Sequence, residues 1–71
     1  MVSMIPVNSS NVKSVGYEKR TSKLFIVFLS DSTYVYFGVP ETEYQNLLDA
    51  GSKSRYLSSR IKDNYKYQRI N

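Results

Sequence analysis

LFIVFLSDSTYVYFG, Leu24 to Gly38, decides how this chain folds. Its first six residues, Leu24 to Leu29, are an unbroken run of β-branched and aromatic side chains. That length suits a strand and is too short for a buried helix. Apolar side chains fill both alternating sets, Leu24/Ile26/Phe28 and Phe25/Val27/Leu29, which predicts a central strand with little water on either face. Ser30, Asp31 and Ser32 make a turn, because short polar side chains hydrogen-bond their own backbone. Thr33 to Phe37 returns antiparallel, and Gly38 ends the strand.

Upstream, Val12, Val15 and Tyr17 belong to a preceding strand, separated from the central run by the polar break Glu18 to Ser22. Downstream, Pro40 changes the period. Its fixed φ and missing N–H suit a first helical turn, and Glu41 and Glu43 set negative charge at the positive end of the helix dipole. At about 100° per residue Tyr44, Leu47 and Leu48 share one side of that helix, and Gly51 is its expected left-handed stop. Ser52 is the candidate N-cap of a second helix, Lys53 to about Asp63. On its wheel Leu57 and Ile61 point one way. Arg55, Lys62 and Lys66 share the opposite side, with Lys53, Tyr56 and Arg60 on a flank. Residues 64–71 read equally as a short further strand, a helix extension or a tail. The pattern predicts one α+β domain spanning residues 1–71. A three-stranded antiparallel meander (about 12–18, 23–29 and 33–37) is followed by helices at about 40–50 and 53–63 packed on it.

Seventy-one residues bury only roughly 60% of the surface that the unfolded chain exposes, so the core is thin. No Cys is present to staple it or to hold a metal as thiolate. The apolar start, Met1 to Val7, is broken by Ser3 and Pro6, far short of a signal peptide's apolar region or of the ~20 residues of a membrane span. A soluble cytoplasmic protein with no membrane partner is expected. Charge is placed unevenly. Residues 1–50 carry four basic and five acidic side chains, whereas residues 51–71 carry six and one. The whole basic excess is therefore C-terminal, and it favours polyanionic partners.

Catalysis finds no support in the residue types. There is no His to serve as a base for Ser9 or Ser10, whose hydroxyls are expected to bond nearby backbone instead. Glu41 and Glu43 are two apart on a helix and face different ways, and Asp31, Asp49 and Asp63 are scattered. With neither His nor Cys, a transition-metal site would need oxygen ligands alone, and no acidic loop has calcium-binding spacing. No enzyme, cofactor or metal is expected.

Four stretches in order, VNSSNVKSVGY (Val7 to Tyr17), Leu24 with Phe28, YVYFGVP (Tyr34 to Pro40) and SKSRYLSSRIKDNYKY (Ser52 to Tyr67), together resemble the KTSC domain. That family is named for its place at the C-terminus of some lysyl-tRNA synthetases, and the likeness runs nearly end to end. The chain departs from the pattern at Ser54, where a Gly is usual, and at Ser59, near an expected Asn. The resemblance implies a small α+β module, found alone in bacterial and phage proteins or appended to larger ones, with a suspected link to RNA.

Basic residues interleaved with aromatics suit single-stranded nucleic acid, because Lys and Arg neutralise phosphates while Tyr rings stack bases. The expected function is a non-catalytic binding module for RNA or other single-stranded nucleic acid. Lys53, Arg55, Arg60, Lys62, Lys66 and Arg69 would lie on phosphates, and Tyr56, Tyr65 or Tyr67 would stack bases. The bland alternative is a solvated helix face, which the same residues also describe. A protein-interaction or homodimerisation module is the reading from a different class, since a two-sided apolar strand in so small a chain leaves a face to cover. Duplex reading by a helix-turn-helix around Gly51 and membrane-surface binding by the second helix are weaker rivals.

Overall fold

The structure, a computed structural model, describes residues 2–71. Its frame is a five-stranded, wholly antiparallel sheet in the order β1 (Ile5–Pro6), β2 (Val12–Glu18), β3 (Lys23–Phe28), β4 (Thr33–Tyr36), β5 (Tyr67–Arg69). Between β4 and β5 the chain makes its helical excursion, α1 (Glu41–Asp49) and α2 (Lys53–Tyr56). The latter runs on as a widened turn over Leu57–Ile61. The α+β class and the meander hold, but the sheet has five strands where the sequence pattern gives three. The extra two are short edge strands of two and three exposed residues, too brief to show an alternation. Residues 64 and 65 still bond back to Ile61 O, at 3.1 and 3.3 Å, and from Lys66 onward the chain forms a further strand rather than a tail. Backbone bonds from Phe37 N to Lys66 O, 2.9 Å, and from Ile70 N to Thr33 O, 2.8 Å, lock it along β4.

Register explains which side chains go inside. Tyr17 pairs with Leu24, Val15 with Ile26 and Leu24 with Tyr36, so these residues share the face onto which the helices pack. Val12 and Val15 are three apart and would point to opposite faces of a regular strand. A bulge at Lys13 inserts one residue between Val12 and Ser14, and both valines reach the core fully buried. Leu47 from α1 and Leu57 and Ile61 from α2 close the core over them. Tyr17 and Tyr44 stack at 5.2 Å between sheet and helix.

β3 is central, but its second face is less covered than its composition predicts. Leu24 and Ile26 are fully buried, Phe25 and Val27 are half-buried, and Leu29 lies beyond the strand end, 55% exposed. The segment Val2–Met4 crosses that outer face over Gly16, where an added Cβ would lie 2.6 Å from the Met4 sulfur.

The helix ends follow local chemistry, with one correction. Ser52 caps α2 through its hydroxyl, which accepts from Arg55 N at 3.4 Å. At the end of α1 no left-handed residue is used. Ala50 leaves in an extended conformation, φ −68° and ψ 139°, and its N–H bonds Leu47 O. Gly51 therefore does not act as the expected left-handed cap; Gly38, φ 69°, is the glycine with positive φ.

Candidate nucleic-acid interface

The helices cover only part of the sheet face they sit on. Past their edge the strands leave Phe28, Tyr34, Tyr36 and Tyr67 as the floor of a groove of about 400 Å³. Alternation puts these four on one face. Val12 sits opposite Phe28 and Tyr36 opposite Tyr67 in the ladder, while Tyr34 and Tyr36 are two apart on β4. Their rings support one another: Phe28 meets Tyr34 edge-on at 5.5 Å, and Tyr67 lies 5.5 Å from Tyr34 and 5.7 Å from Tyr36. Tyr67 is 54% exposed, so one side of its ring is open to a ligand.

The wall opposite comes from α2, whose sequence alternates core and groove side chains. Leu57 anchors the helix, while Ser54, Ser58 and Lys62 line the groove. Lys62 follows the widened turn, in which its own N–H donates to Leu57 O at 2.7 Å, five residues back. Asn11, Ser30 and Ser32 complete the rim. The lining holds one cation and no carboxylate. Tyr36 is 5% exposed, and no side chain donates to or accepts from its hydroxyl among the described residues. Burial, with the Tyr34 and Tyr67 hydroxyls nearby, pushes this phenol above its ordinary value, so it stays a neutral donor at neutral pH.

A second, polar cleft of about 270 Å³ lies between Asn8–Ser10 and Gly51–Lys53. The two depressions meet where Ser9 Oγ and Ser54 Oγ bond at 3.0 Å. Ser9 also accepts from Asn11 N and Val12 N, so of the two hydroxyls expected to bond nearby backbone, that of Ser9 sets the entry of β2. Together the depressions follow α2 from Lys53 to Lys62, roughly 14 Å at 1.5 Å per residue.

The sequence-derived candidates divide across this surface. Lys62 lines the groove, and Arg69, opposite Tyr34 in the β4–β5 ladder, projects from the same sheet face. Lys53 lines the second cleft, its Nζ bonded to Ala50 O at 3.1 Å. Arg55 is exposed on α2. Arg60 lies 5.8 Å from the Tyr56 ring. Lys66 is not on the helix at all; it precedes β5, and its carbonyl pairs with Phe37 N. Tyr56 and Tyr65 both donate their hydroxyls to the Glu43 carboxylate, Tyr65 at 2.9 Å, which makes them ties between α1, α2 and the approach to β5. Composition points away from Phe28, Tyr34, Tyr36 and Asn11, which read as strand and turn residues. Their signal lies in alternation, but only once the reach of the helices over the sheet is known.

Among the described residues no three metal-ligating side chains gather, and no helix is long and apolar enough to cross a membrane. A family model, the KTSC domain, matches residues 8–65. Lysine--tRNA ligases of Nostoc sp. and Nostoc punctiforme are 36% and 33% identical over 67 residues, 94% of this chain but 12% of each ligase. A small protein of Stutzerimonas stutzeri is 34% identical over 93% of this chain and 94% of its own length. The crystal structure of a KTSC domain protein from Yersinia pestis superposes with a TM-score of 0.96 at 37% identity, covering all of both chains.

Proposed function

This chain belongs to the KTSC domain family, and from its groove we propose that it is a small non-catalytic module binding single-stranded RNA. One observation carries the reading: an aromatic groove floor shares its lining with a cation, Lys62, and with serine hydroxyls, and a second cation, Lys53, lines the polar cleft nearby. Aromatic faces stack bases of any sequence, and flanking cations hold the backbone without reading it. The match to a stretch of lysine--tRNA ligases supports RNA over DNA as the strand to try first. The 2′-hydroxyl gives the serine-rich wall a donor and acceptor that DNA lacks.

The test is a titration of the ¹⁵N-labelled chain with a short single-stranded RNA and a matched DNA duplex at two salt concentrations. Saturable shifts along Lys53 to Arg69 with RNA are expected. Two to four phosphate contacts give a log–log salt slope of roughly −1.5 to −3 on single strands. No shifts at low salt would refute the reading.

A second reading, weak self-association, is favoured by the outer sheet face. Phe25, Val27 and Phe37 are half-buried there, and Leu29 and Ile70 are 55% and 50% exposed. Beyond Val2–Met4 that face spans β3 to β5, strands of six, four and three residues, at most roughly 14 by 20 Å. That is less than the ~800 Å² per partner of a stable interface, so a dimer would form only at high concentration. Sedimentation equilibrium from micromolar to millimolar protein tests it, with Leu29→Ser/Ile70→Ser expected to abolish any concentration dependence.

A further inference from the structure

Among the polar side chains lining the groove, three serines have side-chain partners. Ser54 is bonded to Ser9, and Ser30 to Ser32 at 3.3 Å. Asn11, Tyr34, Tyr36, Ser58, Lys62 and Tyr67 line the groove without a side-chain partner among the described residues. The Tyr36 case is the telling one. A tyrosine with 5% of its surface exposed has its ring in the core and its hydroxyl aimed at the one place it can be solvated, the floor of the groove. The ring serves the core, and the hydroxyl presents a donor to the groove that a phenylalanine would lack.

The groove's contents define the ligand. An exposed ring face on Tyr67 calls for a planar partner. The Tyr36 hydroxyl, a donor at the groove floor, suits an acceptor on the edge of that planar group. A single cation with no carboxylate in the lining calls for one negative charge beside it. A planar heterocycle with an edge acceptor and one phosphate is a nucleotide, and a volume of about 400 Å³ falls at the small end of ligand sites. We propose that the groove is a single-nucleotide site, in which one unstacked nucleotide lays its base on Tyr67, accepts from the Tyr36 hydroxyl and sets its phosphate on Lys62. This rests on the single-strand reading and specifies it: one position on the protein holds a base, and the remaining basic residues hold backbone only.

The same chemistry is offered by a strand and by a free mononucleotide, so both are used as probes, with inorganic phosphate as the charge control. The full chain, Tyr36→Phe, Tyr67→Ala and Lys62→Gln are titrated by ¹H–¹⁵N spectroscopy with a six-nucleotide oligouridylate, a six-nucleotide oligoadenylate, uridine 5′-monophosphate and adenosine 5′-monophosphate. Tyr67 and Lys62 are exposed and Tyr36→Phe keeps its ring, so the folded spectrum is retained. Expected are strand-induced shifts at Asn11, Ser58, Lys62 and Tyr67. Affinity should fall about three- to tenfold in Tyr36→Phe and about five- to 100-fold in Tyr67→Ala. The salt slope should become shallower by about 0.7 in Lys62→Gln. Mononucleotides should shift the same groove amides more weakly, and phosphate alone should not reproduce the pattern.

If strands bind but the groove amides stay still and Tyr36→Phe binds like the parent chain, the nucleotide site is overturned while the single-strand reading survives. If mononucleotides bind in the groove and strands do not, the site stands and the single-strand reading falls. No binding of either overturns both.

Discussion

Replacing Glu43 with Gln should destabilise the domain by about 1–2 kcal/mol without touching the groove. Glu43 sits in the first turn of α1, half-buried, and its two oxygens accept from Tyr56 on α2 and from Tyr65 before β5. One carboxylate thus ties together the three elements that close the sheet. Glutamine keeps one carbonyl oxygen and turns the other position into a donor, so at least one tyrosine hydroxyl loses a charged acceptor. A hydrogen bond to a charged group contributes about 1.5–3 kcal/mol and a neutral one about 0.5–1.5, roughly 1 kcal/mol lost per bond and about 2 for the pair. Partial solvent access lowers the sum to about 1–2 kcal/mol. Against a total of about 4–10 kcal/mol for a chain of this size, that lowers the melting temperature by about 4–15 °C. Circular dichroism melts and urea titrations at pH 7 measure it. Alkaline titration supplies a second readout. The bond to Glu43 is the main cause of the raised Tyr56 pKa, and burial followed by the same carboxylate raises that of Tyr65. Because the folded values lie above the unfolded 10, this stability is complete below about pH 10 and is lost as pH climbs through the folded values. In Glu43→Gln, tyrosinate absorbance should therefore begin at lower pH. The reasoning is refuted if Tyr65→Phe costs as much in the Glu43→Gln background as in the parent chain, or if the two tyrosinate titrations coincide.

Ile61 is fully buried and fixes the end of α2 on the sheet. Ile61→Ala should cost about 2–5 kcal/mol, and Ile61→Val only about 0.5–1.5, by urea denaturation. Gly16→Ala places a methyl 2.7 Å from Val2 Cγ1 and 3.0 Å from the Ser3 carbonyl. The segment 2–4 should lift from the outer face at a cost of about 1–2 kcal/mol, seen as faster amide exchange at Met4. Ser54→Gly removes the partner of Ser9. It should destabilise by about 1–2 kcal/mol through lost bond and added chain entropy, measured by thermal melts.

How much of this was legible in the sequence depends on what each residue had to be compared with. Strands β2 to β4 and both helices could be read because their signals are local: the apolar run Leu24–Leu29, the period change at Pro40, the cap at Ser52. β1 could not, and β5 only as one of three readings of residues 64–71, since a strand of two or three exposed residues exists only through the neighbour it pairs with. The same distinction governs the site. Lys62 and Tyr67 were legible as a cation and an aromatic in a basic segment. The helical wheel placed Lys66 with Arg55 and Lys62 only by extending α2 past the widened turn at Leu57–Ile61, after which the chain turns toward β5. Tyr56 and Tyr65 resembled stacking platforms until Glu43, 13 and 22 residues away, was seen to hold their hydroxyls. Tyr34 and Tyr36 read only as residues of the returning strand, because nothing local tells where a covering helix stops.

That limit of coverage ties the fold to the proposed function. Two short helices cannot span a five-stranded sheet, so part of its inner face must meet water. A bare patch of Leu or Val there would invite aggregation. Tyrosines tolerate the position, presenting an apolar body with a wet hydroxyl, and the same property suits a surface that stacks bases. The charge asymmetry completes the arrangement. All of the basic excess lies after Asp49, in elements that on their own would make only a solvated helix and an end strand. Because β5 returns to pair with β4, Arg69 comes to lie opposite Tyr34, and α2 hangs Lys62 over the aromatic floor. The antiparallel closure of β4 on β5 is thus what turns a basic C-terminal third and an aromatic first half into one surface. Loss of that pairing would separate cations from rings even with every side chain retained.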